Sequence, residues 1–240
     1  MSLPDVVSRE QWLEARRQLL AQEKEYTRSR DALNADRRRL PMVKVDQEYV
    51  FEGPDGKVTL AELFGDKQQL IVQHVMFGPD WGQPCPGCSA AIEEMSQGVF
   101  DHLATRETTF VLTSRAPYDK IAAKAKERGW SFPWYSSFGS EFNYDYQVTL
   151  DAGRGLVDYN YRPVPQAVSG ERSTELPGYS CFLREGDDVF HTYSTYERGA
   201  DHTIGTYAFL DLTALGRQED WEEPKGRVAP VRGGDPTFSS

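Results

Sequence analysis

The sequence predicts an α/β fold, in which helices flank a central sheet. Three features lead to this prediction. The apolar run over 70–77 is rich in β-branched residues, which is typical of a buried strand, and the run over 108–113 has the same character. Helix signals follow each run, over 89–103 and between Pro117 and Gly129. A helix that joins two strands is typical of parallel strands, whose functional residues gather at the carboxyl ends of the strands.

The first forty residues predict one long helix. Ser8 and Gln11 have the spacing of a capping box, and Pro41 ends the helix. The positions three residues further on, Ala15, Gln22, Ser29 and Asp36, do not form the second apolar row that a coiled coil needs. We expect the row to pack on the body of the same subunit or on a partner subunit in a homodimer. Its members recur every seven residues: Trp12, Leu19, Tyr26, Leu33 and Leu40.

The remaining predicted elements are two strand pairs and a last helix. Residues 49–60 predict a hairpin around the turn Pro54-Asp55-Gly56, and residues 60–64 predict a helical turn. A second strand pair is predicted over 179–183 and 189–195, followed by a helix over 207–215. We divide the chain into an N-terminal helical extension (1–41), an α/β domain (42–223) and a flexible C-terminal tail (224–240), which is rich in Gly and Pro.

Composition and charge exclude several classes of protein. The 240 residues carry a formal net charge of −10, which opposes binding to the phosphates of nucleic acid. No apolar run approaches the ~20 residues of a membrane helix, and the first residues lack the apolar stretch of a signal peptide. We therefore expect a cytoplasmic protein with no nucleic-acid or membrane partner. In that reducing compartment, the close pair Cys85 and Cys88 is typical of a catalytic or metal-binding site.

The motif Cys85-Pro86-Gly87-Cys88 follows a predicted buried strand and begins a predicted helix. The unpaired amides and the dipole at a helix start stabilise an anion there, which lowers the pKa of the first cysteine. Cys88 lies on the same helical face and can attack a mixed disulfide that Cys85 has formed. We therefore expect Cys85 to be the nucleophile and Cys88 the resolving thiol. Pro86 and Gly87 set the turn between them.

Two other interpretations of the pair are open. A structural zinc ion takes four ligands, but the chain has no second Cys-x-x-Cys motif and its four histidines are scattered, so we expect no metal. The pair could also be packed and unreactive. His74, in the strand before the motif, is either a proton acceptor for Cys88 or a hydrogen-bonded core residue. Cys181 lies inside an apolar strand and is expected to be inert.

The sequence resembles the domain-of-unknown-function 899 family, a thioredoxin-like group described as predicted dithiol-disulfide oxidoreductases. The resemblance covers residues 9–223. The segments that carry it are RRRLP (37–41), YVFEGPDGKV (49–58), MFGPDW (76–81), CPGCS (85–89), FPW (132–134), FGS (138–140), FHTYSTY (190–196) and LGRQEDW (215–221).

The resemblance implies a thioredoxin-like fold, with a central mixed sheet flanked by helices, and a redox pair at Cys85 and Cys88. In thioredoxin folds, a cis proline before the corresponding strand faces the cysteines, and Pro177 is the best candidate for it. We expect substrate contacts at Trp81, Pro177 and the two residues between the cysteines. The expected substrate is a disulfide in a protein or a small molecule, the reductant is a cellular thiol, and no bound cofactor is needed.

Two further functions remain as alternatives. A peroxiredoxin-like thiol peroxidase has a Thr or Ser three residues before its peroxidatic cysteine, but Gly82 holds that position before Cys85. A non-catalytic binding module on the same fold would use the long helix as its partner surface. A measured reduction potential distinguishes these functions, because a binding module need not cycle between thiols and disulfide.

Overall fold

The computed structural model describes residues 3–154, 158–164 and 174–225. By their internal contacts these residues form two compact units, one of residues 3–41 and 210–225 and one of residues 42–209. All but the first two residues of the predicted tail, 224–240, lie outside the described residues. The division into domains of 1–41, 42–223 and 224–240 stays a prediction.

The smaller unit contains the long helix α1 (Arg9–Arg37), so the predicted N-terminal helix is confirmed. Its start is fixed by the predicted capping box. The Gln11 amide N–H donates to the Ser8 hydroxyl (3.2 Å), and the Gln11 side chain accepts the Ser8 amide N–H (3.0 Å). The members of the seven-residue apolar row are 46% to 67% exposed. In the second segment of this unit, Arg217 donates to both carboxylate oxygens of Asp211 at 2.7 Å.

The larger unit is built on an eight-stranded mixed sheet. Its strands are β1 (Val43–Lys44), β2 (Val50–Gly53), β3 (Gly56–Thr59), β4 (Gln69–His74), β5 (Thr108–Ser114), β6 (Trp134–Ser136), β11 (Gly178–Glu185) and β12 (Asp188–Tyr196). Across the sheet they follow the order β1–β12–β11–β4–β5–β6–β2–β3. Strands β4, β5 and β6 are parallel, and the other neighbouring strands are antiparallel.

Four short strands form two small sheets outside the main one. Strand β7 (Thr149–Leu150) pairs with β10 (Thr174–Glu175), and β8 (Asp158–Tyr159) pairs with β9 (Arg162–Pro163). The β7–β10 pair matters for the site, because β10 leads directly into Pro177 and β11.

The helices of the larger unit differ from the prediction at two places. The single helix expected over 89–103 is wrong, since α2 (Pro86–Glu93) and α3 (Gln97–Ala104) are separate helices. Ser96 between them has extended backbone (φ −117°, ψ 158°), which no α-helix accommodates. The helix expected over 207–215 is the shorter α6 (Gly205–Leu210). The other helices are α4 (Tyr118–Arg128), which follows Pro117 as predicted, and α5 (Phe142–Asp145).

The strand and helix order confirms the thioredoxin-like fold class. The crossover from β4 through α2 and α3 to the parallel strand β5 is present, and so are the predicted hairpins β2–β3 and β11–β12. Gly129 ends α4 in the left-handed region (φ +68°), where glycine carries no steric penalty. Among the described residues, no helix combines the length and hydrophobicity needed to cross a bilayer.

Two apolar clusters cover opposite faces of the sheet. The cysteine-side core contains Cys88 and Ile92 of α2 and Ile121 of α4, packed on the sheet. The opposite core contains Phe51 and Phe142, packed on Leu70 and Val72 of β4 and on their neighbours. Because side chains alternate along a strand, residues 71 and 73 of β4 face the cysteine-side core, whereas residues 70, 72 and 74 face the opposite core.

Candidate redox site

The two cysteines lie where β4 has ended and α2 begins. Cys85 is the residue before the first turn of α2, and Pro86 occupies the first helical position. An amide N–H at that position has no acceptor within the helix, so proline, which lacks one, loses no hydrogen bond there. The Ser89 amide closes that turn by donating to the Cys85 carbonyl (2.9 Å). The predicted position of the pair, at the start of a helix after a buried strand, is therefore confirmed by the backbone.

The backbone of Met76 holds both cysteines. Its carbonyl accepts the amide N–H of Cys85 at 2.8 Å, and its own amide N–H points to the Cys88 Sγ at 3.5 Å. Further hydrogen bonds fix the surrounding loop: Ala116 donates its amide N–H to the Phe77 carbonyl (2.8 Å), and the Lys120 Nζ donates to the Pro79 carbonyl (2.7 Å). The loop that carries the motif is thus attached to the end of β5 and to α4.

The two thiols have different environments. Cys85 is partly exposed, whereas Cys88 is only 6% exposed. The pKa of Cys85 is lowered to about 6, mainly because the Cys88 thiol donates a hydrogen bond to its thiolate, and also because the amide N–H groups of Cys88 and Gly87 point at it. The interaction with Cys85, together with burial, raises the pKa of Cys88. The arrangement gives one thiolate and one buried thiol at neutral pH.

We expect the alkylation rate of Cys85 to be half-maximal near pH 6 and to level off about one unit higher. Cys88→Ala removes the strongest donor to the thiolate, so the midpoint should rise by at least about one pH unit. Cys88→Ser keeps an O–H donor and should raise it less. Iodoacetamide labelling followed by mass spectrometry, in a Cys181→Ser background, measures these rates. Equal midpoints in the Ala and Ser variants would show that the Cys88 hydrogen bond does not stabilise the thiolate.

Trp81, like Cys85, packs against the cysteine-side core. Its amide N–H donates to the Gly78 carbonyl (3.2 Å) in a tight turn. A Cβ atom on Gly78 would lie 3.0 Å from the Trp81 ring and 3.4 Å from the Glu175 Cγ, so only glycine fits there without displacing the indole. The role of Trp81 in substrate binding stays a prediction, but its place in the loop before the motif, against the same core as Cys85, is compatible with it.

Glu175 and Arg115 form a buried ion pair near this turn, which the sequence analysis did not anticipate. The Arg115 Nε donates to the Glu175 Oε1 at 2.7 Å, and the Thr149 hydroxyl donates to the other carboxylate oxygen at 2.6 Å. The Arg115 Nη1 also donates to the Tyr144 hydroxyl at 2.9 Å. The side chains of Glu175 and Arg115 are 2% and 13% exposed. Because 60 residues separate them, no local sequence signal joins them.

Pro177 lies beside the end of β4, because the next residue, Gly178, pairs with His74. The Pro177 carbonyl accepts a hydrogen bond from the Tyr159 hydroxyl (3.0 Å). The peptide bond before Pro177 is trans, so this best candidate is not the cis proline of thioredoxin folds. The Leu176 amide donates to the Val148 carbonyl (2.8 Å), which continues the pairing of β10 with β7 to the residue before Pro177.

His74 is a core residue and does not face Cys88. It points into the opposite core, where its ring lies 5.5 Å from the ring of Phe142. Its Nε2 is 2.9 Å from the Ser180 hydroxyl, which in turn is 2.9 Å from the Ser194 hydroxyl. The Ser194 hydroxyl is also 2.8 Å from the Nε2 of His191. Burial, reinforced by the nearby His191, lowers the pKa of His74 to about 3.

His74 therefore makes stability depend on pH. Its pKa is lower in the folded chain than its ordinary value of 6.5, so the unfolded chain binds more protons between pH 3 and 6.5. The contribution of neutral His74 to stability is complete above pH 6.5. On acidification from pH 6.5 towards pH 3, the free energy of unfolding should fall by about 1.4 kcal/mol per pH unit. Urea unfolding of the wild type and of His74→Asn measures this slope. His102→Asn, which replaces an exposed residue of α3, is the control and should keep the wild-type slope. A His74→Asn variant whose unfolding free energy changes with pH as steeply as that of the wild type would contradict a lowered pKa of His74.

Gln73 is a second buried polar residue that the sequence analysis missed. It faces the cysteine-side core, and its cross-strand neighbours Tyr179 and Leu112 pack in the same cluster as Cys88. Its Oε1 accepts no hydrogen bond from any described residue. A glutamine beside His74 in the apolar run of 70–77 was the available signal. The amide gives the buried surroundings of Cys88 an uncharged polar group.

Within the described parts of the chain, no three His, Cys, Asp or Glu side chains lie close enough together to hold a metal ion. All three cysteines are free thiols. Cys181 is half-buried on β11, and burial raises its pKa to about 11. It therefore stays protonated at neutral pH.

The strand order and the cysteine pair at the start of α2 define a thioredoxin-like protein. The chain belongs to the family described as bacterial protein of unknown function (DUF899), whose model matches residues 1–232, and this confirms the resemblance found in the sequence. No curated protein matches the chain significantly.

Solved structures with similar folds are remote in sequence. Peroxiredoxin Q of Xanthomonas campestris is 13% identical over 68% of this chain and 89% of its own, with a TM-score of 0.42. Peroxidoxin BcpB of Mycobacterium tuberculosis is 16% identical over 70% of this chain and 95% of its own, with a TM-score of 0.39. PrxQ of Xylella fastidiosa is 10% identical over 67% and 88% of the two chains, with a TM-score of 0.40.

Proposed function

We propose that this protein is a thiol–disulfide oxidoreductase, with Cys85 as the nucleophile and Cys88 as the resolving thiol. The observation that carries the proposal is the difference between the two sulfurs. Cys85 is partly exposed at a helix start and has a lowered pKa, whereas Cys88 is buried and has a raised pKa. Exchange needs an accessible thiolate for attack and a neighbouring thiol for resolution.

The proposed reaction has two exchange steps. The Cys85 thiolate attacks one sulfur of a substrate disulfide, an S–S bond forms between Cys85 and the substrate, and the other substrate thiolate leaves. Cys88 then loses its proton and attacks the Cys85 sulfur, which releases the second substrate thiolate and leaves a Cys85–Cys88 disulfide. Two electrons have passed to the substrate, and its two thiolates take up two protons. A cellular thiol reductant restores the dithiol, and no cofactor is required.

The positions of the proposed substrate contacts support this chemistry. Trp81 packs against the same core as Cys85, and Pro86 and Gly87 lie between the two cysteines. Pro177 lies beside the end of β4. A substrate backbone could therefore lie across the loop between Trp81 and Pro177. Three cysteines, two of them in one motif, do not make a disulfide framework, and we propose the cytoplasm as the location. A homodimer formed through α1 is a further proposal.

A turnover assay tests the function. The purified chain, supplied with dithiothreitol, should reduce insulin and a small aromatic disulfide faster than dithiothreitol alone does, and Cys85→Ala should remove the acceleration. Cys181→Ser is the matched control and should behave like the wild type. Hydrogen peroxide serves as a second substrate. Peroxide turnover that exceeds disulfide turnover and survives in Cys88→Ser would replace the proposal with a thiol peroxidase, and no turnover of either substrate would support a binding module.

A further inference from the structure

A second concave site lies on the cysteine side of the sheet, beyond the far end of α2. It is a pocket of about 420 Å³, and neither Cys85 nor Cys88 lines it. Its floor includes Ile71, Cys181 and Tyr193 from three neighbouring strands, and its wall includes Met95, Val99 and Leu103 from α3 and the turn before it. Residues 202–205 close a third side.

The size of the pocket is that of a small-molecule site. Ligand cavities usually enclose roughly 300–1,000 Å³ and are lined mainly by apolar side chains with a few polar groups. Most of the residues that line this pocket are apolar or aromatic. The thiol of Cys181 and the side chains of Tyr193 and Thr195 are among its polar groups. A pocket of this volume is large enough to hold two or three linked rings.

The charges around the pocket restrict its ligand. No Lys or Arg lines it, and its one carboxylate, Glu94, already accepts the amide N–H of Thr206 at 3.0 Å. An anionic ligand would therefore lack a basic partner and would face a negative charge, which is unfavourable in an apolar site. His202 lies at the exposed mouth rather than at the floor. Cys181 stays protonated, so the floor itself carries no charge.

We propose that this pocket binds a largely apolar small molecule that carries no anionic group, of the size of two or three linked aromatic rings, against the Cys181 side chain. The site is separate from the Cys85–Cys88 pair. Its occupant contacts Ala91 in the second turn of α2 but does not take part in disulfide exchange.

The charge requirement is tested with two fluorescent probes that share one ring system. Phenylnaphthylamine is uncharged, and anilinonaphthalene sulfonate adds a negative group. The neutral probe should bind saturably at one site per chain, with a Kd at least about tenfold lower than that of the sulfonate. Equal affinity for the two probes, or binding without saturation, would overturn the proposal.

Two filling variants locate the site. Val99→Trp adds bulk at the wall from a side chain that is 43% exposed, so it should leave the fold intact, and Cys181→Phe fills the floor. Each should raise the Kd of the neutral probe at least about tenfold. Phe138→Ala, which removes an exposed ring outside the pocket, is the control and should bind like the wild type. Unchanged binding in Val99→Trp and Cys181→Phe would place the probe elsewhere and refute the site.

A protection measurement does not depend on any filling variant. In a Cys85→Ser/Cys88→Ser chain the one remaining thiol is Cys181. Saturating neutral probe should slow its alkylation by maleimide at least about fivefold. Absence of protection would contradict contact between ligand and Cys181. Because this chain cannot exchange disulfides, the result is independent of the proposed redox function.

Discussion

Replacing Cys88 with Ser is expected to leave the protein covalently joined to its substrates, whereas replacing Cys85 with Ser should abolish every such adduct. The reason is the asymmetry of the pair. Cys85 carries the thiolate at the start of α2 and forms the mixed disulfide, and the buried Cys88 is the thiol that releases it. Without Cys88 the mixed disulfide has no internal route to resolution.

The adducts are measured by non-reducing electrophoresis and mass spectrometry of the purified variants. Cys181→Ser is the matched control, because Cys181 lies on β11 outside the motif, and it should give no adducts and normal turnover. The trapped partners also identify the substrate. Adducts on Cys85→Ser but not on Cys88→Ser would show that the two roles are reversed. Adducts on neither variant would contradict the exchange mechanism.

Removing Arg115 should destabilise the fold by about 3–5 kcal/mol, because it leaves the buried carboxylate of Glu175 without its cation. The two side chains form a 2.7 Å ion pair that is almost fully enclosed. Arg115→Met is measured by urea unfolding at pH 7. The double variant Arg115→Met/Glu175→Gln should recover part of the loss, because it buries no charge.

The control is Lys44→Met, which breaks the ion pair between Lys44 and Asp188. This pair has the same length (2.7 Å), but both of its side chains are 50% exposed. Exposed pairs contribute at most about 1 kcal/mol, so this variant should be nearly neutral. Two results would contradict this explanation. One is a loss of unfolding free energy in Arg115→Met no larger than that in Lys44→Met. The other is a double variant less stable than Arg115→Met, because the buried charge of Glu175 would then not explain the destabilisation.

Local signals were sufficient to predict most of the elements. The apolar run over 70–77 became β4, Pro117 and Gly129 bounded α4, and Ser8 with Gln11 capped α1. The placement of the cysteine pair also followed from local rules, since Pro86 favours the first helical position. These signals act within a few residues, so a single sequence contains them in full.

Features that depend on distant contacts were missed. The helix expected over 89–103 is divided at Ser96, and the carboxylate of Glu94 beside this break binds an amide 112 residues further along the chain. Glu175 meets Arg115 only through the tertiary fold. His74 was left as either a proton acceptor or a core residue, because the sequence predicted a buried strand but not which of its two faces points to the cysteines.

Redox titration of the Cys85–Cys88 pair, with thiol mass tagging at each potential, tests the central claim most directly. The account predicts that both thiols of the pair disappear together in one two-electron transition and return on reduction, while Cys181 remains free throughout. A pair that stays reduced in a strongly oxidising buffer, or that loses its reactivity only when zinc is added, would contradict the claim that these cysteines carry thiol–disulfide exchange.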